Sequence, residues 1–261
     1  MNGIQFIGII PARYGSTRFP GKPLAMIGGK TMIEHVWRQA SQALEEVYVA
    51  TDDQRIYDAV CAFGGKAIMT RADHRCGTER CLEAYDHYTA FQGHKGEEEK
   101  TVIINIQGDE PFIQPEQIEA LKRCFEDGQT EIATLVKPFE EADGWEALAN
   151  PNTPKVVFSQ EKGTALLFSR SVIPYLRGVP QEDWLKAHRH YKHIGMYAYR
   201  ADILRQITAL PPSAAEQAES LEQLRWIENG YQIRVAQCTT QSIGIDTPED
   251  LAKAEKYILT K

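Results

Sequence analysis

Short apolar runs alternate with longer amphipathic stretches along the first half of the chain. Residues 4–10 are almost entirely apolar, and residues 32–44 repeat apolar side chains at helical spacing. Three further runs, at residues 47–50, 67–69 and 102–106, have the length and composition of strands. This alternation is typical of βαβ units around a largely parallel sheet, so the pattern predicts an α/β fold.

The second half of the chain is patterned less regularly, with strand-like runs and little helical spacing between them. The runs are residues 132–136, 156–158, 165–168, 196–199 and 233–236, and helices are expected at residues 114–125, 221–227 and 248–259. Such closely spaced strands favour antiparallel additions to the sheet. Because no repeat or low-complexity linker interrupts the chain, we expect one domain over residues 1–261.

Composition narrows the class of protein. The chain has 261 residues, 43% of them hydrophobic, and its formal net charge of −7 argues against a nucleic-acid partner, which needs an extended basic face. No apolar stretch has the length of a membrane span, and the first apolar run is too short for a signal peptide. Five cysteines without a C-x-x-C pair indicate reduced thiols rather than disulfides or zinc. We therefore expect a cytoplasmic protein without a membrane partner.

The loop after the first apolar run reverses the acidic character of the chain. The first 33 residues hold four basic residues and no Asp or Glu, whereas the whole chain has 36 acidic against 29 basic residues. Arg13, Arg18 and Lys22 lie in this loop, PARYGSTRFPGKP, together with two glycines. Cations and flexible backbone after a first strand suit a polyphosphate, although the spacing matches neither common phosphate-loop template. The alternative is an ordinary solvated loop.

Two acidic motifs are candidates for a metal site. In NIQGDEP, Asp109 follows the strand-like run at residues 102–106, where a carboxylate could hold Mg²⁺ against phosphates. The alternative there is a tight turn with exposed acids. In GIDTPED, Thr247 can cap the last helix with Asp250 three residues later, which leaves Asp246 available for the same metal. The alternative is that Asp246 is itself the helix cap.

The residues of two further polar segments do not by themselves decide the function of those segments. Residues 71–80 form a polar loop turning into a helix, in which Cys76 and Gly77 would let the backbone approach a nucleotide base and Arg80 would add a donor. An ordinary helix start is the alternative. Residues 188–193 hold three histidines, but their basic neighbours would repel a cation, so an anionic ligand or a solvated loop is favoured over a metal.

Taken together, the motifs resemble one enzyme family over nearly the whole chain. They are PARYGSTRFPGKPL, TRADHRCGTER, NIQGDEP, NPNTPKVVFS, FSRSVIP, HIGMYAYR, ESLEQLR and GIDTPEDL, in that order. This series resembles the 3-deoxy-manno-octulosonate (Kdo) cytidylyltransferases. The first and third motifs are shared with wider nucleotidyltransferases, and the motifs of the second half favour Kdo.

The resemblance implies a nucleotide-diphospho-sugar transferase-like fold, a mixed sheet flanked by helices. It implies the reaction of CTP with Kdo to CMP-Kdo and pyrophosphate, with Mg²⁺ as cofactor, for lipopolysaccharide biosynthesis, in a homodimer. By motif it assigns CTP binding to Ala12, Arg13, Ser16, Arg18, Lys22, Cys76, Arg80 and Gln107, and Kdo binding to Arg170, His193, Tyr197, Glu222 and Gln223. It assigns catalysis to Arg13, Lys22, Asp109 and Asp246, the last two as metal ligands. Cys76 departs from the serine that the family more often has there.

The expected mechanism is attack of the anomeric hydroxyl of Kdo on the α-phosphorus of CTP, in line with the leaving pyrophosphate. Arg13, Arg18 and Lys22 would stabilise the pyrophosphate. Arg170 and His193 would receive the carboxylate of the sugar acid.

Three other functions stay open at this stage. A cytidylyltransferase for sialic acid or an amino analogue of Kdo would share all but the sugar pocket. A glycosyltransferase would usually carry an Asp-x-Asp motif, which Gly108-Asp109-Glu110 does not fit. A noncatalytic nucleotide-binding module would not need both candidate metal acids and all the cations of the first loop.

Overall fold

The computed structural model describes residues 3–15, 19–92, 97–240, 244–245 and 247–259. The strands, in chain order, are β1 (Gln5–Ala12), β2 (Met26–Ile27), β3 (Lys30–Thr31), β4 (Glu46–Thr51), β5 (Lys66–Met69), β6 (Thr101–Asn105), β7 (Ile132–Pro138), β8 (Lys155–Ser159), β9 (Thr164–Ser169), β10 (Tyr191–Arg200) and β11 (Ile233–Gln237). The α-helices are α1 (Met32–Ala40), α2 (Gln54–Ala62), α3 (Gly77–Gln92), α4 (Pro115–Cys124), α5 (Gly144–Ala149), α6 (Trp184–Ala187), α7 (Ala201–Thr208), α8 (Ala214–Glu219), α9 (Gln223–Glu228) and α10 (Pro248–Leu259).

Internal contacts divide the chain into two compact units. The first comprises Met1–Glu119, Ala198–Thr208 and Gln241–Lys261, and the second comprises Ala120–Tyr197 and Ala209–Thr240. That residues 1–261 act as a single cytidylyltransferase domain stays a prediction.

Parallel strands form the centre of the first unit. They lie in the order β5-β4-β1-β6, and β1 pairs in parallel with both β4 and β6. β1 is covered on both faces, and its residues Ile7, Ile9 and Ile10 are at most 1% exposed. A strand in such a position requires apolar side chains throughout. All four strands end at the same edge of the sheet, and the loops that leave this edge supply the candidate site.

Side-chain caps fix where the helices around this sheet begin. Thr31 accepts a hydrogen bond from the backbone of Glu34 at the start of α1 (3.3 Å), and Asp53 caps α2. At α10, Thr247 Oγ1 accepts from the backbone N–H of Asp250 (3.2 Å) while Asp250 Oδ2 accepts from that of Thr247 (3.2 Å). The predicted cap of α10 by Thr247 is therefore confirmed, and Asp250 completes a reciprocal capping box with it.

The second unit combines one parallel pair with antiparallel strands. Its order is β10-β7-β11-β9-β8, in which β7 and β11 are parallel whereas β8–β9, β9–β11 and β8–β10 are antiparallel. A separate apolar cluster of Phe139, Leu148 and Trp184 is buried beside them. The expected antiparallel additions in the second half are confirmed.

The sequence pattern located most strands but missed several helices. Little helix was expected between the runs from residue 132 to residue 199, and the short α5 and α6 there agree with this, whereas α7 and α8, between β10 and β11, were not expected. These helices have four to eight residues, too short for a 3.6-residue period to stand out.

None of the described helices combines the length and apolar composition that crossing a bilayer requires.

Candidate active site

Three loops at the strand-end edge of the first unit enclose a cavity of about 280 Å³. They follow β1, β5 and β6, and the third of them leads through Gly108 to Asp109. Of the residues predicted to bind CTP or metal, the structure brings Ala12, Arg13, Lys22, Cys76, Arg80, Gln107 and Asp109 together around this cavity. Ser16, Arg18 and Asp246 lie outside the described residues. The grouping is what the ends of parallel strands predict.

The first loop carries its cations on a backbone that folds back on itself. β1 ends at the buried Ala12, and Arg13 follows at the rim, exposed to solvent. Gly21 has a φ of 72° and donates its N–H to the carbonyl of Tyr14 (2.9 Å). Because this left-handed backbone strongly favours glycine, Gly21 sets the direction of the short 3₁₀ turn that begins at Lys22.

An ion pair joins the first loop to the loop after β6. Lys22 Nζ donates to Asp109 Oδ2 at 2.7 Å, with 13% and 36% of the two side chains exposed. The backbones of these loops also approach closely, since a Cβ on Gly108 would stand 2.8 Å from the carbonyl oxygen of Pro11. Glycine at position 108 therefore lets the Asp109 carboxylate reach the cations of the first loop.

The carboxylate of Asp109 suits a hard cation shared with phosphate oxygens. Among the described residues, no group of three or more His, Cys, Asp and Glu side chains could hold a metal by itself. Magnesium, however, commonly takes only one or two protein carboxylates and completes its shell with phosphates and water. Ile245 donates its N–H to the Asp109 carbonyl (2.9 Å), which ties the chain just before residue 246 to this loop.

Helix α3 begins at the wall of the cavity opposite the cations. Cys76 and Gly77 line the cavity at the start of α3, where the backbone N–H groups of the first turn point along the helix axis. Arg80, in the first turn, is only 4% exposed, and its Nη1 donates to Thr70 Oγ1 at 2.6 Å. Its Nη2 lies 3.5 Å from Asp52 Oδ2. The loop between β5 and α3 thus supplies polar groups suited to a nucleotide base.

His74 also lines the cavity, and the sequence analysis did not single it out. Its Nε2 hydrogen bonds to Glu83 Oε2, and its Nδ1 lies 3.9 Å from Glu79 Oε2. The pKa of Glu83 is lowered, since hydrogen bonds from Arg71 and His74 outweigh the rise that burial alone would cause. The i,i+4 spacing of the two glutamates on α3 was the signal that could have revealed this position.

The residues expected to bind the sugar acid all lie in the second unit. His193 of β10 packs against Phe168 and Tyr197, with ring centroids 5.1 and 5.2 Å away. Burial lowers the pKa of His193 to about 3, so the imidazole is neutral near pH 7. Thr134 donates its hydroxyl hydrogen to the Met196 carbonyl (2.9 Å) and lies 2.9 Å from His193 Nε2. Nε2 is therefore the donor nitrogen, which leaves Nδ1 as an acceptor.

Tyr197, Glu222 and Gln223 form the polar end of this group. Burial raises the pKa of Tyr197, and the neighbouring Glu222 charge raises it further, so the phenol stays protonated. Gln223 opens α9 and is 3% exposed, and no hydrogen-bond partner within the described part of the chain reaches its Nε2. A buried amide donor without a partner is costly unless a ligand or water satisfies it, which is consistent with a binding site.

Arg170 donates hydrogen bonds to backbone carbonyls near the residues that are expected to bind the sugar acid. Its Nε, Nη1 and Nη2 donate to the carbonyls of Glu219 (2.5 Å), Pro151 (2.8 Å) and Ser220 (3.3 Å). These bonds use three of its five N–H groups. The turn it holds leads directly into Glu222, and Ser220 there has a φ of 51°. Arg170 thus fixes the entry to the sugar-acid residues.

The histidine segment at residues 188–193 is a solvated loop only in part, because His188 and Arg189 are exposed between α6 and β10 whereas the residues that follow are not. His190 is fully buried and stacks on Trp184 with an interplanar angle of 2°, and β10 begins at the next residue. Burial lowers the pKa of His190. In the fold, His190 packs against the apolar cluster of Phe139, Leu148 and Trp184.

The parallel strands, the cationic loop and the opposing carboxylate define an α/β transferase of the nucleotidyltransferase type. A family model described as cytidylyltransferase matches residues 7–234. A 3-deoxy-manno-octulosonate cytidylyltransferase of Phocaeicola vulgatus is 59% identical over 98% of both chains, and one of Bacteroides thetaiotaomicron is 57% identical over the same shares. A solved structure of CMP:2-keto-3-deoxy-manno-octonic acid synthetase complexed with CTP is 43% identical, covers 98% of this chain and 99% of its own, and superposes with a TM-score of 0.85.

The chain therefore belongs to the cytidylyltransferase family and, within it, to the 3-deoxy-manno-octulosonate cytidylyltransferases. The expected family, fold class and enzyme class are confirmed.

Proposed function

We propose that the chain transfers the cytidylyl group of CTP to the anomeric hydroxyl of Kdo, releasing pyrophosphate and forming CMP-Kdo for lipopolysaccharide biosynthesis. The observation that carries the proposal is the cavity in which Arg13, Lys22 and Asp109 face one another beside Cys76 and Arg80. It provides cations for phosphates, a carboxylate for a metal and a polar wall for a base. The relatives' names supply the nucleotide and the sugar acid.

Lys22 and Arg13 act on the phosphates in this proposal. Lys22 is anchored by Asp109, so its ammonium is already placed before the nucleotide binds, and Arg13 is free of secondary structure just beyond β1. Charge accumulates on the leaving pyrophosphate as the bond to the α-phosphorus breaks, and preorganised cations stabilise that charge. Arg18 and Ser16 complete the loop in the proposal, which for them rests on the motif.

Asp109 and Asp246 are proposed to hold Mg²⁺. Asp109 supports this assignment by its place opposite the phosphate cations, and the bond from Ile245 to its carbonyl brings the neighbouring chain segment to it. A bound Mg²⁺ would neutralise charge on the α-phosphate and make the attacking hydroxyl more acidic. Lys22 pairs with the carboxylate of Asp109 at 2.7 Å and so orients it at the lining of the cavity.

Cys76, Arg80 and Gln107 are proposed to bind the cytidine part of CTP. Cys76 stands where serine is more common in the family, so we assign the contact at this position to its backbone. The assignment is supported by the fact that all three residues line the cavity.

The sugar acid is proposed to bind at His193, Tyr197, Glu222 and Gln223. Because His193 is neutral and presents Nδ1 as an acceptor, it suits a sugar hydroxyl better than a carboxylate. The remaining N–H groups of Arg170 are left to receive the carboxylate. Gln223 Nε2 adds a buried donor that the ligand would satisfy.

A homodimer in the cytoplasm completes the proposal. Leu166 and Leu167 of β9 are 58% and 46% exposed, which is unusual for adjacent leucines on a strand and suits a protein interface. The cysteines of the chain are free thiols, the state that a reducing compartment maintains.

Pyrophosphate release from a matrix of substrates tests the proposed function. Each of the common nucleoside triphosphates is combined with Kdo or with N-acetylneuraminate, with and without Mg²⁺. Release that requires CTP, Kdo and Mg²⁺ together is the expected result. Release with CTP and N-acetylneuraminate would show that the sugar acid is N-acetylneuraminate instead of Kdo. Absence of release with every pair would overturn the proposal.

A further inference from the structure

Arg80, Thr70 and Asp52 form a polar trio in which the first two residues are buried and the Asp52 side chain is 19% exposed, and the proposed contacts with CTP do not account for it. Arg80 extends from the first turn of α3 to two strand ends, where Thr70 and Asp52 meet its guanidinium. Thr70 follows β5 and is 8% exposed, and its own N–H donates to the carbonyl of Thr51 at 2.8 Å. The hydroxyl of Thr70, which accepts the hydrogen bond from Arg80, is thus fixed to the end of β4.

The charge pair in this trio is not explained by stability. Arg80 is 4% exposed, and within the described chain no hydrogen-bond partner reaches the buried Oδ1 of Asp52. Removing two charges from water costs free energy that their attraction often only offsets, so an apolar pair of similar size would serve the fold as well. A fixed orientation of the guanidinium plane is what an Arg-carboxylate pair provides and an apolar pair does not.

The orientation matters because Arg80 also lines the cavity. A guanidinium has five N–H groups in one plane, and holding its Nη1 and Nη2 sides fixes where the others point. Cytosine presents acceptors at O2 and N3, whereas uracil carries a hydrogen at N3. A donor held toward N3 therefore favours cytosine, and an Arg80 that rotates would lose that preference.

We propose that Asp52 and Thr70 are positioning residues that hold Arg80 in the orientation that reads cytosine, and so set the preference for CTP over UTP. Neither residue contacts the nucleotide. The proposal rests on the proposed function in placing the base of CTP at Arg80.

The experiment compares Asp52→Asn, Thr70→Val and Thr70→Ser with the wild type, using CTP and UTP as probes. Asp58→Asn is the matched control, an exposed carboxylate on α2 that accepts a hydrogen bond from Gln54. Equilibrium binding of each nucleotide is measured without sugar acid, and kcat and KM are measured with Kdo. All assays are run below the unfolding temperature of the least stable variant.

We expect Asp52→Asn and Thr70→Val to weaken CTP binding about tenfold, to raise KM for CTP similarly, and to lower the CTP-over-UTP preference about tenfold, with kcat changed less than about threefold. Thr70→Ser keeps the hydroxyl and should restore the wild-type values. Adding Asp52→Asn to Arg80→Lys should cause no further loss, because the two act as one unit.

Two results in the Asp52 and Thr70 variants would overturn the inference. One is an unchanged CTP-over-UTP preference in both Asp52→Asn and Thr70→Val, and the other is equal loss of CTP and UTP binding, which would indicate damage to the fold. Binding measured without sugar acid separates this outcome from the proposed function, since a wild type that binds CTP but releases no pyrophosphate contradicts only the latter. An Asp58→Asn variant that behaves like Asp52→Asn would also contradict it.

Discussion

At the scale of single residues, the proposed chemistry depends on the contact between Lys22 and Asp109. At 2.7 Å it joins a phosphate cation to a proposed metal ligand, and more than a third of the Asp109 side chain is exposed. With 13% of the Lys22 side chain and 36% of the Asp109 side chain exposed, solvent screens the pair in part, and it contributes on the order of 1 kcal/mol to stability. The pair is therefore better explained by placement of charge for catalysis than by stabilisation of the fold.

Replacing Asp109 by Asn should abolish turnover while leaving the protein folded. Loss of one preorganised charge in a phosphoryl-transfer site costs about 100-fold or more in kcat, and the Mg²⁺ concentration needed for half-maximal rate should rise. Steady-state kinetics over a Mg²⁺ series measure both effects. Asp183→Asn, which removes an exposed partner of Lys186 at 3.1 Å, is the control and should change neither. Wild-type Mg²⁺ dependence in Asp109→Asn would refute the metal role.

His193 should make stability depend on pH. Its pKa is about 3 in the folded protein and about 6.5 in the unfolded chain, so between these values the unfolded state binds more protons. The free energy of unfolding from this residue therefore rises with pH across that window, by about 1.4 kcal/mol per pH unit at most, and is constant above it. Chemical denaturation from pH 4 to 8 should show a smaller slope below about pH 6.5 for His193→Gln than for wild type. Equal slopes would show that His193 protonates freely in the folded protein.

Sequence reasoning found the residues whose role depends on local order and missed those whose role depends on distant neighbours. The cations of the first loop and Asp109 follow strands directly, so the strand pattern places them at one edge. His74 and the trio at Arg80 escaped notice because their partners lie 9 to 28 residues away in sequence, as His74–Glu83 and Asp52–Arg80 do. Burial of His190 likewise depends on Trp184, which no periodicity indicates.

At the scale of elements, the loops that leave β1 and β6 determine the shape of the nucleotide cavity. Gly108 lets them meet, because any side chain there would reach the Pro11 carbonyl. Lys22 and Asp109 can pair only while this approach is kept.

Gly108→Ala should separate these loops. A Cβ 2.8 Å from a backbone oxygen forces the chain to move, which costs about 1–3 kcal/mol and displaces Asp109. Thermal unfolding should show a lower Tm, and CTP binding should weaken. Gly244→Ala is the stability control, since a Cβ there meets no atom within 4 Å. A Gly108→Ala protein with the Tm of Gly244→Ala would contradict the close approach.

The element boundaries show which part of the fold was predictable. The run at residues 102–106 and β6 (Thr101–Asn105) differ by one residue at each end, because the three consecutive buried residues Val102, Ile103 and Ile104 leave a clear apolar signal. Helix α2 went unnoticed although it buries Ile56 and Val60, since the other apolar residues of this short helix lie on further faces and weaken the period. Length and the number of buried positions thus decided what the pattern could reveal.

At the scale of the whole molecule, the proposed homodimer is the open structural claim. Light scattering should give a mass of twice 29.5 kDa. Changing Leu166 and Leu167 together to Asp should shift the mass toward the monomer, because it places charge on an exposed apolar pair. A wild-type monomer at all concentrations tested would contradict the dimer, and an unchanged dimer in the variant would place the interface elsewhere.

The central claim is that this chain joins CMP to Kdo, and ³¹P nuclear magnetic resonance of one reaction tests it most directly. With CTP, Kdo and Mg²⁺, the account predicts that the three CTP signals decline together while one phosphodiester signal and one pyrophosphate signal appear in equal molar amounts. Asp109→Asn under the same conditions should leave the CTP signals in place. Pyrophosphate appearing with free CMP from the first time point, without a phosphodiester, would mean hydrolysis instead of transfer and would contradict the account.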